Sequence, residues 1–566
     1  MAELRRVVLD TAFGHGQHLL ASLAQHAGPL HYIGLAPAVP PVDALLARLP
    51  ELAELWPVNV PGLHRIELPA HGLVLDLLVG VPEDSLPELA ARVDAFIVPE
   101  PLTALRALQR LANPGATLRL FQPDEQALRA LRAAGFTPLH DGQPDAQGWL
   151  HAAYTSRKPQ PARPPAPHRH AIVIGAGVAG SAVCERLAVR GWQLTLIERH
   201  AQPAQEASGN RAGIFMPLLS KDDNIPTRLT RAAYLYALRA WQRLGGLDPH
   251  APGPEAAATP PLRIRGHQCG VLQLARDAEH AQLQKEVVDT WRYPQQFVRW
   301  LDAAQASAML GVPTPHGAWH FPQGGWATPA TACRAMLAAC GERLQRIFHA
   351  EAISLQQVDG QWQVRAADGR VLACAPNVIL ANGAGATQLA QAAQLPLYTM
   401  RGQVTHIAAG SFPSLPLVVC REAYMTPVVE GLASVGATYD KDDERALRQA
   451  SQDENLARAG DMLGGQFGPY PLQGRVGFRT MAPDRLPLVG ALADAAAPGR
   501  AERLRELPRH PGLYTLLGYA SRGLIWAPLA AELLACQLED EPLPMEATLA
   551  AALDPGRFLL KQRRKL

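Results

Sequence analysis

Cysteine is scarce and without pattern: seven residues in 566, at positions 184, 269, 333, 340, 374, 420 and 536, with no CxxC pair and no repeated spacing. That argues against a zinc site and against a disulfide framework, and a reducing cytoplasm is the expected setting. Long apolar runs are missing as well. No stretch reaches about 18 uninterrupted apolar residues, so no membrane span is expected. Neither sign of charge dominates: 53 Lys and Arg stand against 51 Asp and Glu, for a formal net charge of +2. Nothing global therefore announces a nucleic-acid binder, although a local basic patch is compatible with these numbers. Met1 to Arg6 lacks the basic start and apolar core of a secretory leader. There is no internal repeat. What remains is a long chain, 48% hydrophobic, able to bury the cores of two or more domains.

The stretch VIGAGVAGSAVCERLAVRGWQLTLIER, Val173 to Arg199, carries the strongest local signal. Ala171 to Ile174 reads as a buried parallel strand, Gly175, Gly177 and Gly180 as a turn, and Ala179, Val183 and Leu187 recur at helical spacing until Gly191. A second apolar run, Leu194 to Ile197, ends in Glu198, 18 residues after the last glycine. In a dinucleotide pocket the first glycine allows a sharp turn, the second a close approach of backbone to pyrophosphate, and the third tight helix–strand packing; the acid grips a ribose. A glycine-rich turn of no special purpose is the competing reading, and the flanking strands with Glu198 weigh against it.

This unit begins behind more than 150 residues of other sequence. Between the two halves, SRKPQPARPPAPHRH (Ser156 to His170) is rich in proline and basic residues and cannot form a helix or central strand. The expected organisation is a domain over 1–155, a stiff linker over 156–170 and a second domain over 171–566. Within the second domain, Glu351 to Ala375 alternates polar and apolar residues around Asp359-Gly360 and Asp368-Gly369, as a small antiparallel meander does. It runs into NVILANGAGA (Asn377 to Ala386), a buried strand ending in glycines. In the first domain, Arg5 to Gly28 reads as strand, glycine loop and helix. Leu30–Leu35, Leu73–Val79, Asp94–Val98 and Ala116–Phe121 supply further strands of a doubly wound α/β sheet.

The glycine motif, the meander, VILANGAGA, RTMAPDRLPLVG (Arg479 to Gly490) and GYASRGLIWAPLAAELLA (Gly518 to Ala535) come in the order found in the D-amino-acid-oxidase-like flavoenzymes, which include glycine and sarcosine oxidases. ASGNRAGIFMPLLSKDDN (Ala207 to Asn224), RGQVTHI (Arg401 to Ile407) and LEDEPLPMEATLAALDPGRF (Leu538 to Phe558) resemble more closely the oxidoreductase half of the bacterial bifunctional tRNA 5-methylaminomethyl-2-thiouridine biosynthesis family. The resemblance implies an α/β fold: a Rossmann-type FAD-binding domain interleaved with an antiparallel-sheet substrate domain. It also implies FAD held without a covalent bond, because Gly477 stands where sarcosine oxidases carry the cysteine that tethers their flavin. By the same resemblance Gly175, Ala176, Gly177, Val178, Ala179 and Gly180 receive the pyrophosphate, and Glu198 with Arg199 the adenosine ribose. Ser208, Gly209, Asn210 and Gly213 form the loop beside the flavin, Gly383 and Ala384 approach from the meander side, and Ser521, Arg522, Gly523 and Leu524 open a last long helix. Its positive end can stabilise negative charge on the flavin ring.

The resemblance further implies oxidative removal of the carboxymethyl arm from 5-carboxymethylaminomethyluridine at the tRNA wobble position, leaving an aminomethyl group and releasing glyoxylate. A carboxylate substrate calls for a planar guanidinium fork, for which Arg479, Arg522 and Arg401 are the candidates, with Tyr424 as a hydroxyl near the substrate. No metal is called for. Two other readings stay open: an oxidase of free glycine- or sarcosine-like amino acids, and a non-catalytic flavin-containing scaffold for RNA. The strings Ala207–Asn224 and Leu538–Phe558, which general amino-acid oxidases do not need, favour the tRNA reading.

By position, the first domain is similar to the same family's methyltransferase half, which binds S-adenosylmethionine and methylates the freed amine. The likeness is damaged. The family's GFGTGLNF is AFGHGQHL here (Ala12 to Leu19), Ala36 and Val81 stand where two acids are expected, and the segment lining the methyl-transfer pocket is cut to IVPEP (Ile97 to Pro101). A degenerate domain that keeps the fold and has lost methyl transfer is expected. The basic tail KQRRKL (Lys561 to Leu566) reads equally as a phosphate-neutralising or a solubilising end. Nothing demands an oligomer, and a monomer is the expectation.

Overall fold

The computed structural model describes residues 5–102, 104–155, 168–254, 262–465 and 467–564. Residues 156–167 of the expected linker lie outside them. The chain divides into two compact units, one of residues 1–167 and 536–550, the other of 168–535 and 551–566. Residues 536–550, which the sequence reading put with the second domain, thus cluster with the first.

In the first unit an eight-stranded sheet runs in the order Gly62–Leu68, Leu73–Val79, Leu30–Ala36, Arg6–Asp10, Val93–Val98, Ala112–Phe121, Trp149–Tyr154, Phe136–Pro138. The five strands from Leu73–Val79 to Ala112–Phe121 are parallel, with antiparallel pairs at both edges. From Arg6–Asp10 the chain builds outward on one side and then crosses to the other, which is the doubly wound pattern. Alternate residues feed two cores: Val7, Leu9, Ile33 and Leu35 enter one, Val8, Tyr32, Leu75 and Leu77 the other.

The edge strand Gly62–Leu68 hides in the sequence because His64 and Arg65 interrupt its apolar pattern, yet both are buried. Arg65 bonds both Asp76 oxygens, Nε to Oδ1 at 2.8 Å and Nη2 to Oδ2 at 2.7 Å, and also the Pro542 carbonyl at 2.7 Å. His31 reaches Asp76 Oδ2 at 2.7 Å. Burial alone pushes the Asp76 carboxyl up; Arg65 and His31 override it and hold it below the usual carboxylate range. A buried charge is tolerated here because its lone pairs are satisfied.

The second unit is built on two larger sheets. The first has the order Leu344–Ile347, Gln193–Ile197, His170–Ile174, Asn377–Leu380, Arg509–Leu517, Leu488–Ala493, parallel except for the last pair. Val178–Val189 is the helix that follows its central strand, and residues 178–188 of that helix are all buried. Burying side chains such as Val183 and Leu187 contributes about 1.5–3 kcal/mol each. The meander forms as expected, three antiparallel strands at Ser354–Val358, Gln361–Arg365 and Val371–Ala375, with Asp359, Gly360 and Gly369 at positive φ. The other large sheet, eight-stranded and mostly antiparallel, contains Val418–Cys420, Tyr424–Met425, Leu432–Gly436, Tyr398–Ala408 and Gly474–Met481 side by side.

The expected basic tail is an ordered helix, Arg557–Arg563, as far as the described residues reach. Arg563 is buried and donates to the Asp494 and Ala497 carbonyls, and Arg564 to that of Glu502. Those two guanidinium groups are committed to the fold. Among the described residues no helix is long and apolar enough to cross a membrane.

Candidate functional site

A cavity of about 540 Å³ opens in the second unit where the parallel strands end. Its wall takes residues from the glycine loop, from the end of the next strand, from the segment 206–214, from the strand end 381–385 and from the start of the last long helix. Ligands bind in such a crevice because loops at the carboxyl ends of parallel strands leave backbone groups there unpaired.

The glycine loop is shaped for this task. Gly175 has φ 102°, and a Cβ there would lie 2.7 Å from the Ala381 carbonyl oxygen. A Cβ on Gly180 would lie 1.8 Å from the oxygen of Gly175, so this glycine packs helix against turn and does not itself line the cavity. Ala176 is also fully buried behind the wall. Its N–H donates to Glu198 Oε2 at 2.8 Å, while Glu198 Oε1 accepts from the His200 N–H at 2.9 Å. Glu198 lines the cavity with its carboxylate fixed by two backbone donors and lone pairs to spare.

Gly177, Val178, Ala179, Arg199, Ser208, Asn210, Gly213, Gly383, Ala384, Ser521, Gly523 and Leu524 also reach the wall. Ser208 Oγ accepts the Val178 N–H at 3.1 Å, tying the 206–214 segment to the first turn of the helix. Gly209 stays behind that segment. A Cβ on it would meet the Arg475 guanidinium at 2.3 Å, and Arg475 in turn bonds the Gln205 and Glu206 carbonyls at 2.7 and 2.6 Å. Among the lining residues that the sequence reading does not name, two stand out: Asn382 Oδ1 and Tyr519 Oη are buried without a hydrogen-bond partner. Buried polar atoms left unpaired beside a cavity mark where a polar ligand would be received. The signal was present, since Asn382 sits inside VILANGAGA and Tyr519 inside GYASRG.

The four substrate candidates separate. Arg479 lines the cavity, donating Nη1 to the Thr438 carbonyl at 3.1 Å, and no acidic side chain among the described residues pairs with it. Arg401 does not line it. Its side chain is 0% exposed and its fork is spent on the Glu444 and Ala446 carbonyls at 2.7 Å each and on Asp440 at 3.2 Å. That corrects its assignment to the substrate: it anchors the segment 440–446. Arg522 and Tyr424 are absent from the wall as well. Arg522 donates to the Met216 carbonyl at 3.3 Å, and burial lowers its pKa. Burial pushes the Tyr424 hydroxyl up to about 12, against the pull of Arg479. Gly477 lies on the strand Gly474–Met481 and offers no nucleophile for a covalent flavin link.

The FAD dependent oxidoreductase family matches residues 170–537. The chain is 42% identical to the tRNA 5-methylaminomethyl-2-thiouridine biosynthesis bifunctional protein of Azoarcus sp. (strain BH72), covering 99% of this chain and 91% of that one. The protein of the same description from Paraburkholderia xenovorans (strain LB400) is 40% identical, with coverage of 99% and 91%. Among solved structures, glycine oxidase from Geobacillus kaustophilus superposes with a TM-score of 0.54 at 20% identity, over 68% of this chain and 98% of the oxidase, a likeness of fold. The cavity, its glycine loop and these matches converge: the protein is an FAD-dependent oxidoreductase, and it belongs to the family of bifunctional tRNA 5-methylaminomethyl-2-thiouridine biosynthesis proteins.

Proposed function

We propose that the chain removes the carboxymethyl group from 5-carboxymethylaminomethyl-(2-thio)uridine at the tRNA wobble position, and that it works in the cytoplasm. The observation that carries this reading is a guanidinium without an acidic partner, Arg479, in the wall of a cavity built for a dinucleotide. The cavity fits FAD: its glycines exclude side chains where backbone must approach, and the unpaired Asn382 Oδ1 and Tyr519 Oη await polar partners. Residues 175–180 would face the pyrophosphate, directly or from behind the wall, and Glu198 the ribose. Ser208, Asn210, Gly213, Gly383, Ala384, Ser521, Gly523 and Leu524 would meet the flavin. FAD, when bound, supplies the two-electron acceptor.

Arg479 holds the carboxylate of the arm with a planar fork, and Arg522 adds positive potential from nearby. The neutral secondary amine loses a hydride from its carboxymethyl carbon. Water then hydrolyses the resulting imine to the primary amine and glyoxylate. Tyr424, kept protonated by burial, stays a neutral donor.

S-adenosylmethionine does not fit the first unit. The loop's amides are taken internally: Ala12 N–H by Asp10, Phe13 N–H by Leu35, His15 N–H by Gln17 and Gly16 N–H by Phe13. Ala36 is apolar and Val81 exposed where acids would grip a ribose. We therefore assign this chain the oxidative step alone; the aminomethyl product requires a separate methyl-transfer enzyme.

The test is anaerobic mixing of the oxidised protein with tRNA bearing the modified uridine, and separately with glycine or N-methylglycine, while following flavin absorbance. Bleaching by the tRNA alone is expected. Bleaching only by the small amines would make it a free amino-acid oxidase, and bleaching by neither a flavin-bearing scaffold.

A further inference from the structure

We propose that Tyr439, stacked on Arg479 beside the cavity, is the platform on which the uracil ring of the target nucleotide stacks. The inference deepens the functional reading above and rests on it. Tyr439 is 49% exposed, an unusual setting for a large aromatic ring in an otherwise well-buried unit. The ring is presented rather than loose. Its neighbour Asp440 exchanges backbone hydrogen bonds with Arg401 at 2.9 and 3.0 Å, and Thr438 Oγ1 donates to Asp440 Oδ2 at 3.2 Å. The buried Arg401 side chain then pins the segment that follows, through Asp440, Glu444 and Ala446. Arg401, misread from sequence as a substrate ligand, acquires a role here: it fixes the backbone that displays the ring.

The second observation is the stack itself. The Arg479 guanidinium lies 4.4 Å from the centroid of the Tyr439 ring, while Arg479 also lines the cavity. One side chain thus joins an exposed aromatic surface to the chamber where a carboxylate would bind. That is the layout an arm-bearing pyrimidine needs. The Arg479 guanidinium covers one face of the ring, so a base stacks on the other; the first atom of its C5 substituent lies in the base plane, and the arm runs past the edge of Tyr439, from which its carboxylate turns toward Arg479. Unpaired bases are recognised by stacking on aromatic rings and guanidinium planes, and the ring selects a nucleotide over a free amino acid carrying the same amine and carboxylate.

The experiment uses the full-length, FAD-loaded protein and its Tyr439→Ala, Tyr439→Phe and Tyr439→Trp variants. The probes are an anticodon stem-loop bearing 5-carboxymethylaminomethyluridine and, in parallel, N-methylglycine. Anaerobic flavin bleaching against stem-loop concentration gives a half-saturating concentration, and its inhibition by N-methylglycine gives a second constant. For Tyr439→Ala the stem-loop value should rise about ten- to a hundredfold, the worth of one base–aromatic stack. Flavin content should stay at the wild-type level, and the N-methylglycine inhibition constant should shift less than the stem-loop value. Tyr439→Phe and Tyr439→Trp should behave as wild type, because each keeps a stacking face. An unchanged stem-loop value in Tyr439→Ala overturns the platform, and so does an equal loss for N-methylglycine, which would mean that the ring merely positions Arg479. If the wild-type flavin is not bleached by the stem-loop at all, the functional reading itself falls and the platform with it.

Discussion

The loops after His170–Ile174 and after Arg6–Asp10 start alike. Each follows a central parallel strand, turns on glycine and enters a helix. In the second unit the loop lines a cavity, its amide at Ala176 is held by Glu198 at the end of the next strand, and backbone atoms crowd the Cβ positions of Gly175 and Gly180. In the first unit the next strand ends in the buried, apolar Ala36, and the loop amides of Ala12, Phe13 and Gly16 are bonded within the unit. A Cβ on Gly16 would strike Leu45 Cδ1 at 1.7 Å, so that glycine serves core packing. Glycine in a turn is thus permissive and not sufficient: a nucleotide site also needs an acid at the next strand end and an unfilled chamber.

The largest effect expected from breaking this contrast is at Gly180→Val, whose side chain has no room beside the Gly175 carbonyl. The variant should purify colourless, with flavin content reduced more than about a hundredfold, since several kcal/mol of strain fall on the binding loop. Absorbance at the flavin band measures it. Next comes Arg479→Ala, which should raise the half-saturating concentration of modified tRNA about tenfold or more at normal flavin content, the worth of a charge-assisted hydrogen bond. Arg401→Ala should instead lower the melting temperature and disturb the 440–446 segment, because it strands Asp440 and two carbonyls.

A smaller effect concerns pH. Burial pushes both His320 and His406 down to about 4, with Arg299 acting the same way on the first and Arg211 and Arg475 on the second. Unfolded, each titrates near 6.5, so between those values the unfolded chain binds protons that the folded chain refuses. Stability contributed by keeping them neutral is present above pH 6.5 and is lost as pH falls toward 4. Melting curves from pH 7.5 to 5 should show the decline, and His406→Gln should flatten it. The smallest effect expected is none: titrating the full-length protein with S-adenosylmethionine in a calorimeter should give no binding heat, and micromolar affinity would erase the contrast between the two loops.

Much of this was readable in the chain. The strand, turn, helix and acid of 171–198, the meander around Asp359-Gly360 and the parallel strands of the first unit declare themselves through local periodicity and glycine placement. Other features depend on distant partners. Gly62–Leu68 looks polar until Asp76 and the Pro542 carbonyl arrive to satisfy Arg65. Thr399 and Arg401 share a face of one strand by alternation, yet the first lines the cavity and the second is covered by residues 440–446. Basic residues at the end of the chain look like a tail until Arg563 finds carbonyls at 494 and 497.

By itself the sequence determined which segment can cradle a dinucleotide, because backbone approach and positive φ leave glycine as the residue that fits and such constraints act over a few neighbouring positions. It determined too that the first unit lacks acids at two strand ends. Only tertiary structure decided which arginine faces the chamber, that the other loop spends its amides internally, and that Tyr439 rests on Arg479. These outcomes depend on which distant segments pack over a side chain and consume its hydrogen bonds, a competition that no local pattern records.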